Sequence, residues 1–331
     1  MSASRLVSPI VAVLVAQVVA FGQGTVPGVP GGPGSGGTVL PPCPGGGSAV
    51  DYYALAQAQK EFAIATAAET SRQNSQDSIR RLLTNMSRRI GRGFTTLRFR
   101  QLPAAGPVLH DSELITEFSY GELSRTDADV RGYSTEEDVT VNTHIGQIGT
   151  AGLTLNSSRT KYRGALGTET NTFGADAYAN VELTKHLSSG LFATGSHVDI
   201  DEIADGVGAS YGGGTTLSAW QGFGTLDITG TVALVKTFQE VGVNEQDTLF
   251  TSLLDVQKTW TDTFSTSVYA FYSDSLRDHS RLDGDRTFCS VGLDLIYSPT
   301  DRLGFTIGGE KTLSLNNLRD YHINTGMLLS W

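Results

Sequence analysis

The chain ends in YHINTGMLLSW, Tyr321 to Trp331, a stretch that reads in steps of two. Tyr321, Ile323, Thr325, Met327, Leu329 and Trp331 fall on one side of an extended strand, and His322, Asn324, Gly326, Leu328 and Ser330 on the other. Successive side chains of a strand point to opposite faces, so one face here is apolar and aromatic while the other is mostly polar. A strand that touches lipid outside and lines a wet lumen inside needs this period, and an aromatic ring suits the membrane interface. The ending therefore predicts the last strand of a membrane-spanning β-barrel.

Working back from it, the chain from about Leu114 onward has no helical period. About twelve alternating segments are separated by turn signals at hairpin intervals. They are predicted over Leu114 to Gly121, Asp138 to Ile148, Ala151 to Ser158, Thr172 to Thr184, Gly190 to Asp201, Thr215 to Ile228, Thr231 to Val241, Thr248 to Trp260, Phe264 to Ser275, Arg286 to Ser298, Leu303 to Leu315 and Tyr321 to Trp331. Short connections at Gln147 to Thr150, Lys185 to Ser189, Gly230, Thr261 to Thr263 and Pro299 to Arg302 interleave with longer polar ones. The latter run Glu122 to Glu137, Arg159 to Asn171, Glu202 to Gly214 and Leu276 to Asp285. Short periplasmic turns alternating with long outer loops are what an even-stranded outer-membrane barrel requires. Face assignments agree for Thr172 to Thr184, where Phe173, Ala175, Ala177, Ala179, Val181 and Leu183 share one side. Lys311 stands out as a charge on the lipid side, and Thr215 to Ile228 and Thr231 to Val241 are ambiguous in parity. The glycines from Gly206 to Gly214 lack the strand-to-helix setting of a phosphate loop and read as a mobile outer loop.

The gross numbers are compatible with this. A chain of 331 residues with 18% charged residues, 39 glycines and a net charge of −10 leaves a globular or a barrel protein open. Its mean hydropathy of −0.11 is uninformative, because only alternate residues of a barrel strand are apolar. The acidic balance, with no basic track for a phosphate backbone, argues against a nucleic-acid partner.

The front of the chain has three parts. Arg5 precedes an apolar run from Leu6 to Ala20 with small residues at its end, which reads as a cleaved export signal over 1–22. Residues 23–50 are a Gly/Pro-rich tether that cannot build a core. Residues 51–91 contain neither Gly nor Pro until Gly91 and predict one long helix, roughly 60 Å at 1.5 Å per residue, with Asp51 as its N-cap. A heptad frame through Leu55, Phe62, Glu69, Gln76, Leu83 and Ile90 would suit a coiled coil at its ends but is polar in the middle, so oligomerisation through the helix is an open expectation. The barrel would occupy 92–331. Cys43, in the tether, and Cys289, on a lipid-facing strand position, are expected to remain two isolated thiols.

With its export signal, linker, helix, alternating strands and terminal aromatic, the chain resembles the translocator domain of autotransporters, the type V secretion proteins. The likeness covers Asp51 to Trp331. The ending itself resembles the C-terminal signature of bacterial outer-membrane proteins, carried here by Tyr321, Ile323, Met327, Leu329 and Trp331. The run Ser78-Ile79-Arg80-Arg81-Leu82-Leu83 looks like the end of the helix that such domains hold inside the barrel. What the resemblance implies is a bacterial outer-membrane location, with outer-membrane lipid, the barrel assembly machinery and periplasmic chaperones as partners. It departs from the family in one respect: only the tether stands where a passenger would be. Asn85 stands alone, which does not support self-cleavage. The function expected is therefore an outer-membrane barrel that anchors or exports its own helix and tether, with a passive porin-like pore and a periplasmic helix as the alternative.

Two sets of charges are the candidate site. The helix carries Arg72, Arg80, Arg81, Arg88 and Arg89, and strand parity turns Glu117, Asp176, Glu182, Asp255, Asp294 and Glu310 toward the lumen. Carboxylates facing guanidinium groups in a confined channel would hold the helix by paired hydrogen bonds. The alternative is a solvated periplasmic helix and a water-filled, acid-lined pore. No catalytic constellation, cofactor or metal site is expected: His110, Asp111 and Ser112 are adjacent in sequence and cannot line up as a triad, and the remaining histidines lack ligand spacing.

Overall fold

The computed structural model describes residues 49–87, 112–125, 130–145, 149–163, 169–200, 208–241, 244–276, 287–300, 302–313 and 318–331. The export signal, nearly all of the tether, Cys43, His110, Asp111 and Arg88 and Arg89 lie outside these residues. One helix, α1 (Ala49–Ser87), precedes twelve strands: β1 (Ser112–Arg125), β2 (Val130–Ile145), β3 (Gly149–Arg163), β4 (Glu169–Thr184), β5 (Leu187–Ile200), β6 (Gly208–Phe223), β7 (Leu226–Gln239), β8 (Glu245–Thr259), β9 (Phe264–Ser275), β10 (Thr287–Thr300), β11 (Leu303–Thr312) and β12 (Leu318–Ser330). Each strand pairs antiparallel with its sequence neighbours, and β1 closes on β12 to complete the cylinder. The last residue takes part in the closure. Trp331 N–H donates to the Ser112 carbonyl at 3.0 Å, and Ser112 N–H donates to the Trp331 carbonyl at 3.2 Å.

Closure satisfies the backbone at membrane depth, where lipid offers no hydrogen bonds. The outer face supplies the matching surface: Val139, Val141, Leu153, Leu155, Phe173, Leu191, Leu234, Leu254, Val268, Leu293, Ile307 and Ile323 are all exposed. Trp260, Phe223, Tyr297 and Trp331 lie toward the end where connections are short, and Tyr120 and Tyr321 toward the other, as the two aromatic girdles of a membrane barrel do. The connections at the short end are 146–148, 185–186, 224–225, 260–263 and 301–302, two to four residues each; those at the other end are 126–129, 164–168, 201–207, 240–244, 276–286 and 313–317, four to eleven residues each.

Several boundaries differ from the expectation: β1 runs on to Arg125 and β3 to Arg163, β5 and β12 start three residues earlier, and three further differences have a clear physical reason. The turn predicted at Gly230 is at Gly224 and Thr225, where Gly224 has φ of 68°, while Gly230 lies inside β7. The glycines predicted as a loop run into β6: Gly208, Gly212, Gly213 and Gly214 pair with β5 or β7. A Cβ on Gly214 would meet the Phe192 ring, so the absent side chain makes room for an aromatic in the lumen. Residues 130–137 are strand rather than loop, because β2 continues past the lipid band.

The parity of β7 resolves with Asp227, Thr229, Thr231, Ala233, Val235 and Gln239 inward and Val232, Leu234 and Lys236 outward. Ala233 and Val235 blurred the pattern because they are apolar on the wrong side for a wet lumen. They face α1 instead.

These assignments predict opposite outcomes at two glycines. Gly224→Val forces a β-branched residue into the left-handed region and should destabilise the barrel by about 1–2 kcal/mol. Gly230→Val, whose Cβ meets nothing within 4 Å, should be neutral, both read from urea unfolding of the protein folded into vesicles. Equal effects at the two sites would contradict the register of β6 and β7.

Candidate functional site

Helix α1 lies inside the barrel against β4 to β8. The sequence sorts its faces at 3.6 residues per turn. Ile79, Leu82, Leu83 and Met86 form one stripe, fully buried against Tyr178 of β4, Phe192 of β5, Ala233 and Val235 of β7, Leu249 and Leu253 of β8, Phe271 of β9 and Phe288 of β10. About three turns further toward the N-terminus, Ala67 and Ala68 pack on Val198 and Ile200 of β5 and on Val241. A lumen with this many inward aromatic and aliphatic groups is not a plain aqueous channel. It is a half-formed core completed by the helix.

Polar contacts fix the height of the helix. Gln239 Nε2 donates to the Ala68 carbonyl at 2.5 Å, Asn74 Nδ2 donates to Ser158 Oγ at 3.2 Å and to Thr172 Oγ1 at 3.0 Å, and the Thr70 and Tyr162 hydroxyls are 3.5 Å apart. Tyr162, Ser158, Thr172 and Gln239 all lie toward the long-connection ends of their strands. At the other extreme, a Cβ on Gly190, near the start of β5 beside the 185–186 turn, would strike Met86. The helix thus runs with its N-terminal part at the long-connection mouth and its C-terminal part toward the short turns. Gln57, Lys60 and Glu61, beyond that mouth, are exposed.

The opposite face of the helix carries the charges. Arg80 Nη1 is 2.7 Å from Glu310 Oε2 on β11, and its Nε is 3.6 Å from Asp77 one turn back. Tyr269 joins them: its hydroxyl donates to Glu310 Oε2 at 3.1 Å, and Arg80 Nη1 donates to that hydroxyl at 3.5 Å. Tyr269 can lie along the wall to reach Glu310 because Gly292, its register partner on β10, leaves the space that any Cβ would fill. Arg81 turns the other way, bonding Glu136 closely and Asp138 at 3.3 Å, both on β2. Its Nη2 also donates to Ser78 Oγ at 3.2 Å. Adjacent arginines therefore reach β11 and β2, the strands on either side of the β1–β12 closing pair.

Of the six carboxylates expected in the lumen, the structure pairs Glu310 with a helix arginine. Glu117 lines the same cavity as Arg80 and Arg81, with His322 and Asn324. Asp294 borders them too and accepts from Asn324 Nδ2 at 3.5 Å. Asp176 is buried and accepts from Asn156 Nδ2 at 3.0 Å, and buried Asp255 accepts from Ser267. Glu182 keeps the inward parity but sits exposed at the short-turn end of β4. Arg72 lines a separate cavity with Glu245, Asp247 and Gln239. The voids beside Arg80 and Arg81 measure ≈ 40 and ≈ 30 Å³, room for little more than ordered water.

Glu136 and Asp138, which hold Arg81, were not among the expected residues. Glu136 falls in the stretch read as a polar connection, because Glu137, on the outward side, interrupts the alternation, and Asp138 is the first residue of the predicted strand. The signal was the inward series Ser134, Glu136, Asp138, Thr140 and Asn142, uniformly polar at a spacing of two.

No family model and no curated protein matches the chain. Solved structures do match its fold. The translocator domain of the autotransporter NalP from Neisseria meningitidis is 14% identical, over 77% of this chain and 97% of that one, with a TM-score of 0.51. The β domain of the Bordetella autotransporter BrkA is 8% identical, over 67% of this chain and 100% of that one, also at 0.51. An outer-membrane channel from Pseudomonas putida F1 is 10% identical, over 70% of this chain and 100% of that one, at 0.52. The chain is a closed twelve-stranded antiparallel barrel of the kind found in autotransporter translocators and in outer-membrane channels.

Proposed function

We propose that the chain is an outer-membrane translocator-type barrel that passes its own N-terminal segment through the lumen, keeps α1 there as a plug, and so anchors the residues before the helix at the cell surface. The observation that carries this reading is the direction of α1. Its N-terminal part leaves by the long-connection mouth, the outer end of a barrel of this type, while β1 starts at the short-turn end. From Ala68 to Met86 the helix covers about 27 Å, which suits an apolar band about 25 Å tall. The translocator domains of NalP and BrkA share the barrel. No catalytic role is assigned.

Magnitudes decide what keeps the plug in place. Burying Ile79, Leu82, Leu83 and Met86 contributes about 1.5–3 kcal/mol each, as an upper estimate. The buried ion pairs contribute far less net, because desolvation offsets most of their attraction. The apolar stripe therefore holds the helix, and the arginines set its rotation.

A passive pore is the second reading, favoured by the likeness to the Pseudomonas putida channel. Single-channel conductance separates the two. The intact protein should be nearly closed, and deletion of 49–87 should open it; equal conductance would sink the plug. Protease added to intact cells should cut a tag near Gly36, whereas protection until lysis would place that segment in the periplasm. In the same conductance assay Arg80→Met alone should loosen the plug by about 3–5 kcal/mol, through an unpaired buried Glu310, while Arg80→Met with Glu310→Met should restore closure. Openings that persist in the double variant would show that the ionic contact, not the apolar stripe, carries the plug.

A further inference from the structure

In the lumen the helix arginines pair with Glu310, Glu136 and Asp138, but a second group of charges faces outward. On β3, beyond the last outward aliphatic Leu155, come Arg159, Lys161 and Arg163, all exposed, and across the ladder on β2 stands exposed Arg131. Arg131 and Arg163 are register partners, as are Tyr133 and Lys161. Like charges directly opposite on one face repel and are destabilising. In a chain of net charge −10 such an arrangement calls for an anion.

Among the described residues, the neighbouring carboxylates supply it in part. Glu169 of β4 serves Arg159 and Lys161, the latter at 3.2 Å. Glu122 accepts the Tyr321 hydroxyl at 2.5 Å, and Glu137 lies nearer the lipid band, opposite Ser157. The outermost row, Arg131 and Arg163, has no ion pair with a described carboxylate; Arg163 lies over the Tyr133 ring at 5.5 Å, and Tyr133 stacks on Tyr120 with centroids 6.4 Å apart. The same height on β8 and β9 presents Thr248, Phe250 and Asp274, and β7 and β11 each carry an exposed lysine there, Lys236 and Lys311, so it is the facing arginines, rather than basic charge as such, that single out the β2–β3 sector.

Position identifies the partner. Arg159 is four residues beyond Leu155, about 13 Å along the strand and about 10 Å along the membrane normal at a tilt near 40°. That is the level of lipid headgroups, with Tyr120 and Tyr133 at hand for the sugar or acyl boundary. Guanidinium forks match phosphate oxygens. We propose that the outward face of β2 and β3 at the long-connection end binds the phosphorylated sugar headgroup of an outer-leaflet glycolipid. Assigning that leaflet rests on the orientation given under the proposed function; the binding chemistry does not.

The test uses the full-length protein in detergent micelles, where leaflets do not exist, titrated with bis-phosphorylated lipid A, with the same lipid stripped of phosphate, and with inorganic phosphate. The phosphorylated lipid should bind, and R159Q/K161Q/R163Q should weaken it at least about tenfold. Lys258→Gln, beside Trp260 at the opposite rim, should change nothing. The double variant R131Q/R163Q provides a second reading should the triple variant lose its heat-modifiable folded form. Unchanged affinity in both variants, equal binding of the dephosphorylated lipid, or displacement by millimolar inorganic phosphate would each overturn the proposal. Binding as expected together with a protease-protected tag near Gly36 would leave the site standing and refute the orientation alone.

Discussion

Every backbone N–H and C=O at membrane depth must be bonded within the protein, and in this chain the β1–β12 ladder completes that requirement. Closure has a consequence inside. Twelve strands enclose a lumen wide enough for a helix, and a lumen left to water would expose Phe192, Phe271, Phe288, Leu249 and Leu253. The cylinder that lipid demands outside is therefore complemented within by α1. Wall and helix form one hydrophobic core, with the arginine face turned to the side where the cylinder is joined.

That division of labour explains the chemistry of each wall sector. Strands β4 to β10 contribute the apolar cradle and the small inward residues that let it form, Gly190 under Met86 and Gly214 beside Phe192. Strands β2 and β11 contribute carboxylates, and Arg80 and Arg81 span the join between them. A single helix face could not do both, because a guanidinium buried in the apolar cradle would be unpaired and an aliphatic stripe against β2 would leave Glu136 and Asp138 uncompensated.

Much of the outer face was legible in sequence. The period of two in Tyr321 to Trp331, in β4 and in β11 follows directly from lipid on one side, and even Lys311 falls outward as read. The lumen was less legible, since its rule is not simply polar: Ala233 and Val235 are inward because a helix covers them, and nothing local to β7 says so. Gly230 and Gly224 look alike in sequence, and only the register distinguishes a lipid-facing glycine from one held at positive φ. The arginines of the helix and one partner, Glu310, could be named, but not the partners of Arg81. Pairing depends on how α1 is turned within the lumen, which no local pattern on the wall reveals, and Glu136 and Asp138 belong to a strand whose outward residues at that height are no longer apolar.

The central claim is that α1 occupies the lumen with its N-terminal part toward the long-connection mouth. Cysteines placed at Asn74 and Thr172, whose side chains are in contact at 3.0 Å, test it in intact cells, with Cys43 and Cys289 replaced by serine. The account predicts a disulfide between them without added oxidant, in an envelope that favours such bonds. No bond at this pair, with a bond instead between cysteines at Asn74 and Ser188 near the short-turn end, would contradict it.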